Sequence, residues 1–270
     1  MEFTLKMGIS DKTRRKIARK RRHGVKKNIT NYSKDIFNAF YDEKLLKETI
    51  NKTLNNENYL TENLTDAFTD YLKKVNQNIK NLLSKAQEYI EDSYKKGTDR
   101  ILDENGEKVK IEAEPDEQAI KVLTNEQKRN FESMNKQQTR IVNNIVTKGI
   151  EKGKSQEEIA KEIQNRVKQT TKSSANRISR TEIVKSHNVG QVETMQKAGI
   201  KYYSFINSPK YTGKDGKTYP CIICRKLQGG RGREHIYLVE RAGTSEKNPL
   251  PVTQSHPNCN CTTVIRTDKE

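Results

Sequence analysis

Cys221-Ile-Ile-Cys224, followed further along by His256-Pro-Asn-Cys259-Asn-Cys261, is the stretch that decides how this chain reads. All 4 cysteines of the protein lie in it. A C-x2-C turn presents two thiolates to one point, and a second group arriving from far along the chain completes the tetrahedral set that Zn2+ prefers. Five candidates, Cys221, Cys224, His256, Cys259 and Cys261, compete for four positions, so one of His256, Cys259 or Cys261 stands outside the ligand set. The competing interpretation is a pair of disulfides. The opening residues MEFTLKMGIS hold no apolar core of signal-peptide length, and no later stretch approaches a membrane span, so a reducing compartment and no membrane partner are expected. Clustered cysteines at this spacing then point to a metal, with Zn2+ as the expected cofactor of a module over residues 219–265.

Outward from the module, short β-branched and aromatic runs at Tyr202–Ile206, Ile236–Val239 and Thr262–Ile265 predict strands, with Gly- and Lys-rich turns between them. Upstream, a helix is predicted from about Ser174 to Ala198, stopping at Gly199. Another begins at Ser155-Gln-Glu-Glu158, a capping box that leads into Ile159, Ile163 and Val167. Residues 151–270 therefore read as a small α+β domain. Before it, residues 28–150 read as a helical arm, and no internal repeat is evident. The arm has a short amphipathic helix in 28–56. One long helix follows over 58–96, with a stripe of Leu60, Leu64, Phe68, Tyr71, Val75, Ile79, Leu82, Ala86 and Tyr89. A turn comes at Asp103-Glu-Asn-Gly106 with a brief hairpin beyond it, and then a helix over 116–148 ended by Gly149 and Gly153. The expected fold class is α+β, a long-helix N-terminal arm before a C-terminal domain closed by a Cys/His zinc site.

Charge points to the kind of partner independently of the fold. The 270 residues carry a net charge of +17, only 31% are hydrophobic and none is Trp, which favours elongated helices with solvated faces. Between positions 12 and 27, ten of sixteen residues are Lys or Arg and none is acidic. These are Lys12, Arg14, Arg15, Lys16, Arg19, Lys20, Arg21, Arg22, Lys26 and Lys27. Residues 1–27 are expected to be a disordered basic tail that binds double-stranded DNA through phosphate contacts, sensitive to salt and blind to sequence. A nuclear localisation signal has similar composition, while a membrane-surface helix is disfavoured because Ile17, Ala18 and Val25 are too little apolar surface. Gly229-Gly-Arg-Gly-Arg233 adds a basic hairpin tip between the cysteine pairs.

The segment Arg177-Ile-Ser-Arg180-Thr181-Glu182, with His187 and Asn188 beyond it, is dense in polar groups for one helix. A catalytic reading makes Glu182 or His187 a general base. The structural reading, which we favour, has buried Arg–Glu pairs from Arg177, Arg180 and Glu182 orienting the helix on the zinc module. No second carboxylate, Ser–His–Asp set or phosphate-cradling Gly loop accompanies them.

The order of these motifs resembles a known family. Arg180-Thr-Glu182, the Ala198-Gly199 stop, an aromatic strand, C-x2-C and then His256-Pro-Asn-Cys259-x-Cys261 are similar to the phage Mu protein F-like domain of minor head, or head morphogenesis, proteins. The resemblance covers about residues 150–266. Asn260 and the Tyr219-Pro220 approach depart from the family pattern, as does the insertion over 210–217. The resemblance implies a minor capsid component of a tailed phage or prophage that is not an enzyme. Such a protein is made in the host cytoplasm and resides in the virion interior. It contacts DNA and the portal protein or major capsid protein during packaging or ejection. The alternative is an enzyme dependent on Glu182 with Arg177 or Arg180, a nuclease or an ADP-ribosyltransferase-like toxin. A zinc-ribbon regulator would instead require sequence-specific DNA binding, and an HNH nuclease would need more histidines than His235 and His256.

Overall fold

The basic tract is a helix with an inside and an outside. In the computed structural model, which describes residues 6–7, 9–54, 62–111, 113–207, 211–212, 218–219, 221–229, 233–244, 250, 255–257 and 259–267, α1 runs unbroken over Asp11–Phe40. It is followed by α2 (Glu43–Leu54), α3 (Glu62–Asn76), α4 (Ile79–Thr98), α5 (Glu117–Glu151), α6 (Gln156–Lys197) and α7 (Ile222–Gln228). Strands β1 (Lys6–Met7), β2 (Tyr202–Ile206), β3 (Tyr211–Thr212), β4 (Thr218–Tyr219), β5 (Arg233–Glu234), β6 (Ile236–Leu238) and β7 (Thr262–Ile265), with a 3-10 turn at Val239–Arg241, complete the described elements.

Three expectations about the helices are corrected. Residues 12–27 are not a disordered tail. Ile17, Ala18, Arg21, Gly24, Val25 and Asn28 are buried, at the three- and four-residue spacing of one helix face. Few apolar side chains are involved, but Gly24, Arg21 and Asn28 complete the inward face. The single helix over 58–96 is instead α3 and α4. Gln77 N and Asn78 N donate to Lys74 O and Val75 O (3.3 and 3.0 Å), tightening the last turn of α3, and Asn78 O accepts from Leu82 N (3.1 Å) to restart the chain as α4. Residues 58–61 of the expected helix lie outside the described residues. The two helices expected over 155–198 are one, α6, because the polar run through Thr170–Ser174 contains no Gly or Pro. Thr171 Oγ1 donates to Val167 O (2.7 Å) and accepts from Gln138 Nε2 (2.6 Å), so the run is satisfied within the helix.

The capping box and the turn after α4 held, whereas Gly149 lies inside α5, which ends at Glu151 ahead of the left-handed Gly153. Ser155 Oγ accepts from Glu158 N (3.2 Å) and Glu158 Oε2 accepts from Ser155 N (2.8 Å), the reciprocal capping box. Asp103 Oδ1 accepts from Asn105 N and Glu107 N (2.9 and 2.8 Å), and Leu102 bridges Lys108 across the turn.

The chain divides into two discontinuous compact units, not at 27 and 150 as the sequence suggested. Long helices are shared between units, so the cut falls inside them. One unit comprises Thr30–Gln87 and Thr124–Ser179 and is all-helical. Its core joins Tyr41, Leu46, Ile50, Phe68, Tyr71, Val142, Ile163 and Val167, with Asp42 N donating to Tyr71 Oη (3.0 Å) at the α1–α2 corner.

The other unit comprises Met1–Ile29, Glu88–Leu123 and Arg180–Glu270. It holds a three-stranded antiparallel sheet in the order β6-β2-β7, with Tyr203 opposite both Tyr237 and Ile265. The expected α+β architecture is present, with helix predominating. The hairpin after α4 extends the sheet edge, Ile265 N donating to Leu102 O (2.9 Å). Tyr203, Phe205, Tyr237, Val239 and Ile265 pack with Ile101, Val184, Met195 and three of the cysteines in one core.

Within this unit α4 and α6 cross at contact distance through two glycines. An added Cβ at Gly97 would lie 2.1 Å from His187 O, and one at Gly190 would lie 2.5 Å from Tyr94 O. The backbones approach so closely only because neither residue has a side chain.

Candidate metal centre

The four cysteines and His256 converge although 35 residues separate Cys221 from His256. Cys221 is the N-cap of α7, its backbone extended and its Sγ accepting from Cys224 N (3.3 Å), so the first turn of α7 turns both thiols the same way. His256 Nε2 lies 3.0 Å from Cys221 Sγ and 3.2 Å from Cys224 Sγ. Cys224 Sγ is 3.6 Å from Cys259 Sγ, and Cys259 Sγ accepts from Cys261 N (3.4 Å). The cluster is therefore two triads, Cys221–Cys224–His256 and Cys224–Cys259–Cys261, that share Cys224.

This donor set fits zinc. All four cysteines are free thiols, and a Cys224–Cys259 separation of 3.6 Å is far from a disulfide's roughly 2.05 Å. It is close to the ~3.8 Å between two sulfurs each 2.3 Å from a tetrahedral ion. His256 Nδ1 lies 2.7 Å from Pro257 O. A carbonyl only accepts, so Nδ1 donates to it, and Nε2 is the ring nitrogen that faces the sulfurs, the arrangement in which a metal-ligating imidazole is held. Hydrogen bonds from Cys224, then Cys261, hold the Cys259 thiol well below its ordinary value, and the contact with Cys259 pushes Cys224 up. The Cys224 and Cys259 sulfurs thus do not both ionise without a cation between them. Pro220, Asn258 and residues 230–232, 245–249 and 251–254 of the expected module lie outside the described residues, as do 213–217 before it.

Amides tie α6 to this module. Asn188 Nδ2 donates to Cys261 O (3.3 Å) and to its own Val184 O (2.9 Å). Gln191 Oε1 accepts from Thr262 Oγ1 (3.0 Å) and Thr263 Oγ1 (3.4 Å), while Gln191 Nε2 donates to Arg100 O (3.1 Å). Sequence reading had not singled out Gln191. Its signal was a long amide at i+3 from Asn188 on a helix face otherwise apolar or small. Of the polar residues that were singled out, Arg177 is exposed and lines an open cleft with Gln137, Arg166 and Gln169. Arg180 is half-buried, while Glu182 is 5% exposed. His187 is wholly buried, and burial, then the neighbouring charge of Arg21, keeps it neutral far below its ordinary value.

With this geometry in place, comparison with known families is direct: residues 140–264 match the family described as Phage Mu protein F like protein. The match supports that family for this part of the chain. No curated protein and no solved structure matches the chain. The matched span runs from the second half of α5 through α6, the sheet and all five Cys/His residues of the centre. It excludes the basic first half of α1.

The ten basic residues of that tract do three different things. Lys12, Arg15, Arg19, Lys20, Arg22, Lys26 and Lys27 are exposed, whereas Arg14 and Lys16 are half-buried. Lys16 pairs with Glu107, and Lys20 Nζ donates to Gly106 O (2.7 Å), so both brace the turn after α4. Lys12, Arg15, Arg19, Arg22 and Lys26 recur at three and four residues and form one cationic stripe along α1. Arg21 departs from the expected DNA set: it is 3% exposed and faces inward. Its position one residue off the stripe puts it on the buried face. No helix of the described residues is long and apolar enough to cross a membrane.

Proposed function

We propose that the chain is a minor head, or head morphogenesis, protein of a tailed phage or prophage, that it resides inside the procapsid, and that it contacts packaged DNA. The observation that carries this reading is the family match over residues 140–264, which takes in the complete Cys/His cluster. In this reading Zn2+ is held by four of Cys221, Cys224, His256, Cys259 and Cys261, and it closes the C-terminal domain as a structural ion. The stripe of Lys12, Arg15, Arg19, Arg22 and Lys26 supplies the DNA contact. A stripe spanning about 21 Å at 1.5 Å per residue follows phosphates without reading bases. The all-helical unit would meet the portal protein or the major capsid protein.

The protein is not expected to be an enzyme. A general base must reach the proton it removes, and the Glu182 carboxylate is buried in the helix core, which weighs against the nuclease and toxin alternatives.

The stripe makes the DNA claim testable without cutting into the fold. Deleting residues 1–27 would remove Ile17 and Val25 from the core, so truncation confounds DNA affinity with unfolding. Replacing Lys12, Arg15, Arg19, Arg22 and Lys26 together with Gln keeps helix propensity and removes five exposed charges. Each lost phosphate contact lowers the magnitude of the slope of log affinity against log salt by about 0.9, so five lost contacts should lower it by about 4.5. A folded variant whose salt slope equals that of the original protein would remove the stripe from the DNA interface.

A further inference from the structure

One cation of the basic tract is on the wrong side of the helix for DNA. Arg21 Nη1 donates to Asn260 O (2.8 Å), the carbonyl between Cys259 and Cys261. Its Nε and Nη2 are buried without a hydrogen-bond partner. Among the described residues it pairs with no carboxylate. Burial lowers its basicity to about 10, so it remains a cation at neutral pH. The groups that favour that charge are Cys259 and Cys261, while Arg22 and Arg180 oppose it. A guanidinium sealed from water with no counter-charge is strongly unfavourable. Its placement here calls for an anion in the cysteine module.

The chemistry of the donor set supplies one. Three thiolates and a neutral imidazole on Zn2+ leave a net charge of −1, and four thiolates leave −2. We infer that Arg21 is the charge partner of the cysteine centre, offsetting the negative charge of the metal–thiolate group and thereby raising the affinity of the site for its ion. This inference rests on the zinc reading of the centre. It makes the first half of α1 part of the metal site: the helix that carries the cationic stripe outward also carries one cation inward. Arg21 is a positioning residue in this role, acting on the ion through the sulfurs.

The test is zinc affinity of the full-length protein, measured by competition with a chromogenic chelator, alongside thermal unfolding of the metal-free and zinc-loaded forms. Arg21→Met keeps a long unbranched side chain and removes the charge. It should weaken zinc binding by about 10-fold or more, the usual effect of losing a residue that supports metal ligands. Its metal-free form should unfold no earlier than the metal-free original, because the uncompensated buried charge is gone. Arg21→Lys retains the charge and should recover most of the zinc affinity. An Arg21→Met affinity within twofold of the original would overturn the inference, as would an Arg21→Lys protein as weak as Arg21→Met. A metal-free Arg21→Met protein destabilised as much as the loaded form would mean that Arg21 acts by packing alone, and would also overturn it. If the original protein binds no zinc, the metal reading itself fails and this inference with it. Zinc binding by the original with no effect of Arg21 overturns this inference alone.

Discussion

Cys224→Ser is expected to strip the protein of zinc and to unfold the C-terminal sheet region. Cys224 is the one residue common to both triads of the cluster, so its loss breaks each of them. It is also 2% exposed and packs in the same core as Tyr203, Phe205, Tyr237 and Ile265. A structural zinc site contributes on the order of 10 kcal/mol to folding in small modules, more than the whole stability of many domains. Replacing Cys261 should cost less, because Cys261 belongs to one triad and leaves Cys221, Cys224, His256 and Cys259 to complete a four-ligand set. Metal analysis by mass spectrometry, with circular dichroism of the same samples, checks the order. About one zinc per chain is expected in the original protein, with near-complete loss in Cys224→Ser. A Cys224→Ser protein with full zinc content and an unchanged spectrum would refute the assignment.

Gly97→Ala should be the most damaging glycine-to-alanine change at the crossing of α4 and α6. At an open helical position this substitution gains about 1 kcal/mol, since Ala is the better helix former. Here the new Cβ would sit 2.1 Å from the carbonyl oxygen of His187, a backbone atom that no rotamer change can move aside. Either α4 and α6 separate or α6 loses its geometry beside Asn188 and Gln191, the residues that hold the cysteine module. Overpacking of this kind costs about 1–3 kcal/mol, and more when backbone must shift. We expect a net loss of at least about 2 kcal/mol, seen as a fall of roughly 5 °C in the thermal midpoint for a protein of this size. Gly190→Ala should act in the same direction, its Cβ meeting Tyr94 O at 2.5 Å. A Gly97→Ala protein as stable as the original would show that the helices do not cross so closely.

What the sequence disclosed was what is encoded locally. The two halves of the Cys/His cluster, the capping box at Ser155 and Glu158, the Asp103 turn and the β-branched runs of β2, β6 and β7 are each specified by residues a few positions apart. Features that depend on distant partners were not legible. The α3–α4 break escaped because Val75 and Ile79 are four residues apart, so the apolar period runs through the turn unaltered. The continuity of α6 escaped because its Thr- and Ser-rich middle looks like a loop until Gln138 is seen to satisfy Thr171. Arg21 was indistinguishable from nine other cations, since what sets it apart is Asn260, 239 residues away. The division into two discontinuous units has the same origin, because a helix that serves both leaves no compositional mark where one ends.

The central claim is that this chain is an internal component of a phage head. The most direct test is quantitative mass spectrometry of purified procapsids, assembled with the head genes of the parent phage or prophage and treated with protease before opening. We predict that the chain is recovered in a few copies per particle, intact until the particles are broken. Particles that assemble and purify without it, leaving all of the protein in the free fraction, would contradict the account.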